Sequence, residues 1–294
     1  MIKKKIVLSI YRKSEEILKR KSELLKFRFI RAYRRRLINY VVSHYKSNYI
    51  EIEGRKMFLD ANDSLRLSLR EYSPLATHLV KSEVKRGDVV IDLGANIGYW
   101  TLFFAQLVGE NGRVFAFEPE PSNFKILEKN VRINGYQNVV LIQKAASSIT
   151  GRAKLYLSYE STDNRIYDTH DNRDFINIET ITLDEYFRTF DREINFIKSN
   201  IQGADFAAIQ GMSSLLKKSK NIKIMTEFSP YLLKPFNAEP EEFLKTLTDE
   251  GFNLYDINSV DNKIYSTTVN ELLKKYPSEK NKGTYLYCTK WELN

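Results

Sequence analysis

The chain has 294 residues, 43% of them apolar, with 46 basic against 37 acidic side chains and a net charge of +9 at pH 7. That length fits one large α/β domain or two small ones, with enough apolar content for a proper core. The lone cysteine, Cys288, excludes an intramolecular disulfide and suits a reducing compartment, and no apolar run reaches the roughly 18–20 residues that a membrane-spanning helix needs.

The positive charge is concentrated at the start. Residues 1–46 carry 15 Lys or Arg against Glu15, Glu16 and Glu23, while the remainder is mildly acidic. Residues 5–45 contain no Pro or Gly and predict a helix. Ile30, Tyr33, Leu37, Val41 and Tyr45 share one face, beside Arg31, Arg34, Arg35 and Arg36. A basic amphipathic helix suits an anionic membrane surface. Docking of its apolar face on the body or on a second copy is the competing reading, and it leaves homo-oligomerisation open. The basic opening is not followed by a secretory apolar stretch, because the run stops at Ile10. The expectation is a cytoplasmic protein, peripheral at the inner face of the membrane if the helix binds lipid. The expected division is a helical extension over 1–48 and one domain over 49–294.

Residues 49–59 (YIEIEGRKMFL) predict a hairpin turning at Gly54. From about Glu83 strand and helix patterns alternate. Apolar runs at 89–91, 114–117, 139–142, 195–197 and 222–225 are short and suit buried parallel strands. Helices are predicted over 122–134, capped by Ser122 and followed by Gly135, over 205–218, and over 240–250, opened by Pro240 and closed by Gly251. Residues 151–182 predict a β insertion around the polar stretch STDNRIYDTHDNRD. Two strands, FNLYDIN and TYLYCT, end the chain. The expected architecture is an open, mostly parallel sheet with helices on both faces.

The most informative stretch is VVIDLGANIGYW, residues 89–100. It reads as a strand, a tight loop and a helix, at the carboxyl edge where such sheets bind ligands. Small residues let the backbone approach a ligand, and a helix N-terminus from about Ile97 offers N–H groups to an anion. The dinucleotide spacing G-x-G-x-x-G fails, since positions 96 and 99 are Asn96 and Tyr99. A Walker loop fails as well, for want of Gly-Lys-Ser/Thr. What stands is Asp-x-Gly-x-Asn-x-Gly, and Asn tolerates the left-handed backbone almost as Gly does. The next strand ends in Glu118, an acid placed to accept both hydroxyls of a ribose. A cofactor with a free ribose and a small charged end, such as S-adenosylmethionine, satisfies both features. The bland alternative is a strand-to-helix turn without a ligand.

The segments VVIDLGANIGYWTLFFA, VFAFEPEPSNFKILEKNV, TITLDEYF and FIKSNIQGAD, in that order, resemble the FkbM family of S-adenosylmethionine-dependent methyltransferases over roughly residues 50–258. The resemblance implies a class I methyltransferase fold, Rossmann-like with a seven-stranded sheet, and methyl transfer to an oxygen, commonly of a sugar or natural product. By the same resemblance Asp92, Gly94, Ala95, Asn96 and Gly98 would hold the methionine moiety and Glu118 the ribose. Gln143, Lys144 and Ala145 would lie near the adenine.

A hydroxyl acceptor must lose a proton, so a base is expected at the end of the fourth or fifth strand. There the family usually has Asp where this chain has Asn200, and Glu where it has Asp205. Asn can orient a hydroxyl but cannot take its proton. Either another group is the base, or the acceptor needs none, or the enzyme is impaired. Glu227, after IKIMTEF, is the remaining base candidate; it could equally orient a neighbour or pair with Lys198. Asn200, Asp205 and Glu227 could also hold Mg²⁺, although one carboxylate of such a set is missing. His170 in the polar insertion and Tyr72 are candidate acceptor contacts. The acceptor expected is a small molecule or glycan. RNA, favoured by the basic segment, is opposed by the absence of a Pro-Pro-aromatic motif after the fourth strand. A binding protein that has lost turnover is the third reading.

Overall fold

The computed structural model describes residues 49–67, 72–168, 172–236 and 238–292, together with Arg36 and Tyr40. Arg36 and Tyr40 are helical and exposed. The rest of the expected N-terminal helix, with its membrane or partner role, lies outside the described residues, as does His170. Among the described residues no helix is long and apolar enough to cross a membrane. The chain forms two compact units, Met1–Tyr72 and Ser73–Asn294.

In the first unit β1 (Tyr49–Ile52) and β2 (Arg55–Phe58) make the expected antiparallel hairpin, Ile52 opposite Arg55. Gly54 closes it at φ 79°, a left-handed value that costs glycine little.

The second unit runs α1 (Pro74–Glu83), β3 (Val89–Leu93), α2 (Tyr99–Val108), β4 (Arg113–Phe117), α3 (Pro121–Ile133) and β5 (Val139–Ile142). Next come β6 (Ala145–Ala146), β7 (Gly151–Tyr156), β8 (Phe175–Ile181), α4 (Leu183–Tyr186), β9 (Phe196–Ser199), α5 (Asp205–Gln210) and α6 (Ser213–Lys218). The chain finishes with β10 (Lys223–Phe228), α7 (Pro230–Leu233), α8 (Pro240–Asp249), β11 (Asn253–Asn258), β12 (Lys263–Thr267), α9 (Val269–Lys275) and β13 (Thr284–Thr289).

The main sheet has eight strands in the order β12-β11-β13-β10-β9-β3-β4-β5. From β10 to β5 neighbours are parallel; β13 is antiparallel to both β10 and β11, and β12 is antiparallel to β11. This is one strand more than the seven expected. The addition, β12, is an edge strand exposed at most of its positions, so it lacks an apolar run that would announce it. β3 is buried at all five positions, which requires cover on both faces. The core around it includes Ile91, Leu93, Phe117, Ile197, Ile224 and Phe228. The insertion is a separate three-stranded sheet, β6-β8-β7, with β7 and β8 antiparallel.

Three local expectations are corrected. The helix over 205–218 is two helices, α5 and α6, broken at Gly211. A Cβ there would lie 2.0 Å from the Ser147 carbonyl, so the close approach of that backbone interrupts the helical run. The cap of α3 is Glu120, which accepts from the amides of Ser122 and Asn123 at 2.9 and 2.6 Å; Ser122 is already inside the helix. Finally, β3, β9 and β10 extend past their apolar runs to Leu93, Ser199 and Phe228, and the added residues include Asp92, Lys198 and Glu227.

Candidate active site

Leu93 lies opposite both Phe117 and Ser199, and Ser199 lies opposite Thr226. The loops that follow β3, β4, β9 and β10 therefore open on one edge of the sheet. The register also sets Asp92 opposite Lys198. Asp92 is fully buried. Its Oδ1 accepts from Lys198 Nζ at 2.9 Å and its Oδ2 from Thr101 Oγ1 at 2.7 Å. Lys198 Nζ also donates to the carbonyls of Leu93 and Gly94 at 3.0 and 2.9 Å. The ammonium is thus committed to the β3 strand and the loop after it. The alternative that Lys198 pairs with Glu227 is corrected: its hydrogen bonds go to Asp92 and the loop, and it acts on Glu227 only through its charge.

The loop itself is self-supporting. Gly94 and Ala95 donate to the Phe117 carbonyl at 3.0 Å, Asn96 N–H to Glu118 Oε2 at 2.8 Å, and Gly98 to the Ala95 carbonyl at 2.8 Å. Asn96, at φ 50°, bends its own Oδ1 back onto the Ile97 amide at 2.9 Å. Every amide from Gly94 to Gly98 is therefore bonded within the protein, and the helix begins at Tyr99, two residues later than expected. The glycines also have internal reasons. A Cβ on Gly94 would meet the Asn200 carbonyl at 2.3 Å, and one on Gly98 would meet Leu127 Cδ1 at 2.7 Å.

Glu118 stands just past β4 and is 5% exposed. Its Oε2 takes the Asn96 amide; its Oε1 takes the Glu120 amide at 3.0 Å and Asn123 Nδ2 at 3.5 Å. Burial raises its pKa to about 7 against these bonds. Beyond β5 follow Gln143, exposed, Lys144, paired with Glu179 at 2.8 Å, and buried Ala145. Ile142 faces Phe117 across the ladder and accepts the Glu118 amide, so these three residues adjoin Glu118.

The fourth-strand end is arranged differently from the expectation. Asp205 is buried under the turn, not presented to a ligand. It accepts from Ser199 Oγ and, through Oδ2, from the Gly203 amide at 3.3 Å. Burial raises its pKa. Asn200 donates through Nδ2 to the Tyr285 hydroxyl and accepts from Gln202 Nε2 at 3.3 Å. Among the described residues no cluster of three His, Cys, Asp or Glu is placed to hold a metal. Of the three residues that could hold Mg²⁺, Asp205 is turned to the Ser199 hydroxyl and the Gly203 amide.

Glu227 lies opposite Tyr285 on β13. Its Oε2 is shielded from solvent and has no hydrogen-bond partner among the described residues. Burial is the main cause that raises its pKa to about 8. Asp205 adds to the rise, and Lys198 and Arg165 oppose it. Tyr72 is half-buried at the end of the first unit. The residues sequence reasoning passed over are Tyr285, which arrives from the antiparallel β13, and Arg165, which sits in a polar stretch with no motif. Only the cross-strand register could have pointed to Tyr285.

Residues 92–254 match the Methyltransferase FkbM domain model. The chain belongs to the FkbM methyltransferase family. Among curated relatives it is 30% identical to a cobalt-precorrin-6B C(15)-methyltransferase of Saccharolobus solfataricus over 112 residues, 38% of this chain and 51% of that protein. It is 31% identical to a protein-L-isoaspartate O-methyltransferase of Methanococcus aeolicus over 85 residues, 28% of this chain and 39% of that one. The chain spans about half or less of the length of these relatives. Aeropyrum pernix fibrillarin, solved with bound S-adenosyl-L-methionine, is 16% identical with a TM-score of 0.45, over 82% of this chain and 84% of that one.

S-adenosylmethionine is the cofactor of this FkbM chain, and the residues present fit it. Two buried carboxyls with raised pKa values, Glu118 and Glu227, lie at an edge where Lys198 is already neutralised by Asp92. Such a site favours a cation, as a sulfonium is. Glu118 Oε2, whose one bond among the described residues is from the Asn96 amide, keeps a lone pair for a ribose hydroxyl.

Proposed function

We propose that the protein is an S-adenosylmethionine-dependent O-methyltransferase acting on a hydroxyl of a sugar, glycan or similar small molecule, with Glu227 as general base. The observation that carries this is the unpartnered, solvent-shielded Oε2 of Glu227 at the edge that also bears Glu118 and the Gly94 loop. Glu118 takes the ribose, Gln143 and Ala145 adjoin the adenine, and the loop over residues 94–98 bounds the methionine end. The cofactor supplies a methyl carbon on a sulfonium. When bound it would supply that methyl to the acceptor oxygen, with S-adenosylhomocysteine as the leaving product, and Glu227 Oε2 would accept the hydroxyl proton. A pKa of about 8 suits a base working near neutral pH. Asn200 serves as an orienting amide, with its two ends held by Tyr285 and Gln202.

Calorimetric titration with S-adenosylmethionine, NAD serving as control, tests the cofactor half. Saturable binding lost in Glu118→Ala is expected, and no binding overturns the reading. Release of S-adenosylhomocysteine across a panel of glycosides tests the base. Glu227→Gln should keep cofactor affinity and slow turnover by about 10²–10⁴-fold; an unchanged rate removes Glu227 from the role. The basic residues 1–46 further suggest an acceptor met at an anionic membrane. Flotation of the full chain and of the chain lacking 1–46 with phosphatidylglycerol vesicles tests that, and equal behaviour of the two removes it.

A further inference from the structure

Residues 161–167, between β7 and β8, run from the cofactor loop to the chain after β10. At one end Asn96 Nδ2 donates to the carbonyl and hydroxyl of Ser161 at 3.4 Å. At the other, the Tyr167 ring meets Phe236 edge-on at 4.7 Å. Between them one carboxylate serves two guanidiniums. Asp163 Oδ1 accepts from Arg165 Nε at 3.0 Å and from its Nη2, while Oδ2 accepts from Arg173 Nη2 at 3.0 Å. The two arginine side chains are only 14% and 16% exposed. Arg165 Nε and Nη2 both donate to one carboxylate oxygen, Asp163 Oδ1. Arg165 lies 5.5 Å over the Tyr167 ring. Tyr167 is 7% exposed, and its buried hydroxyl has no partner in good hydrogen-bond geometry among the described residues, while the nearby Arg165 opposes the rise in its pKa that burial causes. Arg165 and Asp163 both act on Glu227 through their charge, so this cluster adjoins the proposed base.

A buried hydroxyl without a well-placed partner and a guanidinium that shares its carboxylate are both costly as they stand. Each is satisfied by the same kind of ligand group, an acceptor-rich anion that a guanidinium grips through its planar fork. The Tyr167–Phe236 corner offers an apolar wall against which a ring can lie. Resting on the methyl-transfer reading, we propose that Arg165 and Tyr167 are the acceptor-recognition residues. The acceptor they select bears an anionic group, carboxylate or phosphate, next to the hydroxyl it presents to Glu227.

The test is calorimetric titration of the full chain, saturated with S-adenosylhomocysteine, at fixed ionic strength. The probes are methyl glucoside, glucuronate and glucose 1-phosphate. One of the charged probes should bind at least about tenfold tighter than the neutral one, and which of them does so distinguishes carboxylate from phosphate. Arg165→Gln should abolish that difference, and Tyr167→Phe should weaken the charged probe severalfold at a melting temperature no lower than that of the unaltered chain. Equal binding of all three probes overturns the proposal. So does failure of both anions to saturate a protein that still binds S-adenosylmethionine, or an equal loss for every probe in Arg165→Gln. Should Arg165→Gln not fold, the probe comparison on the unaltered chain and Tyr167→Phe decide alone. Loss of cofactor binding, or an unaffected rate in Glu227→Gln, strikes the methyl-transfer reading instead.

Discussion

Lys198 is buried with its ammonium on Asp92 Oδ1 and on the carbonyls of Leu93 and Gly94. It therefore binds β9 to the loop that would carry the cofactor. Removing the ammonium leaves Asp92 buried with only the Thr101 hydroxyl. Breaking such a pair from one side is expected to cost about 3–5 kcal/mol, because the remaining charge is uncompensated. Urea unfolding of Lys198→Met should show that loss, and Asp92→Asn in the same chain should recover much of it. A loss below about 1 kcal/mol would put the pair among weak surface-like bridges instead. Sequence reading named both residues but offered only Glu227, as one alternative, for the partner of Lys198. Asp92 and Lys198 are 106 positions apart, and only the strand register sets them face to face.

At the scale of elements, the strands that matter are longer than their apolar signal. β3, β9 and β10 continue through Asp92, Lys198 and Glu227, because partners from neighbouring elements neutralise or enclose those polar side chains. Helix breaks are set in the same way. Gly211 divides α5 from α6 because the Ser147 carbonyl passes where its Cβ would stand. Gly211→Ala is expected to destabilise by about 1–3 kcal/mol, as overpacking does. A lowered melting temperature with unchanged helix content by circular dichroism would show it. If local helix propensity governed this position, alanine would stabilise instead.

Across the whole molecule, the buried acids give stability a definite pH dependence. Glu118 and Glu227, ordinarily near 4.5, titrate near 7 and near 8 in the folded protein. Between those values the folded state holds more protons than the unfolded one, so stability falls as pH rises. The contribution is complete below about 4.5 and is lost as pH passes through 7 and 8. Melting temperatures from pH 5 to 8.5 should decline, and Glu227→Gln should flatten the upper part of that decline. A profile that rises over the same window would mean that these carboxylates are ionised and compensated in the fold.

The sequence by itself determined the alternation of strands and helices, the glycine-and-asparagine loop and the acid at Glu118. These are legible because each is encoded within a few neighbouring residues: an apolar run, a turn needing positive φ, an acid ending the next strand. It also marked Glu227 by its place at a strand end. Only the tertiary structure decided what those residues touch. Gly94 is glycine because the Asn200 carbonyl lies against it, and Asn200 reaches Tyr285 across 85 positions. Asp205 turns inward beneath Ser199, and Arg165 and Tyr167 come to the sheet edge from a stretch with no pattern of its own. Hydrogen bonds and close approaches between distant segments depend on register and chain path. Local propensity and periodicity carry no record of either.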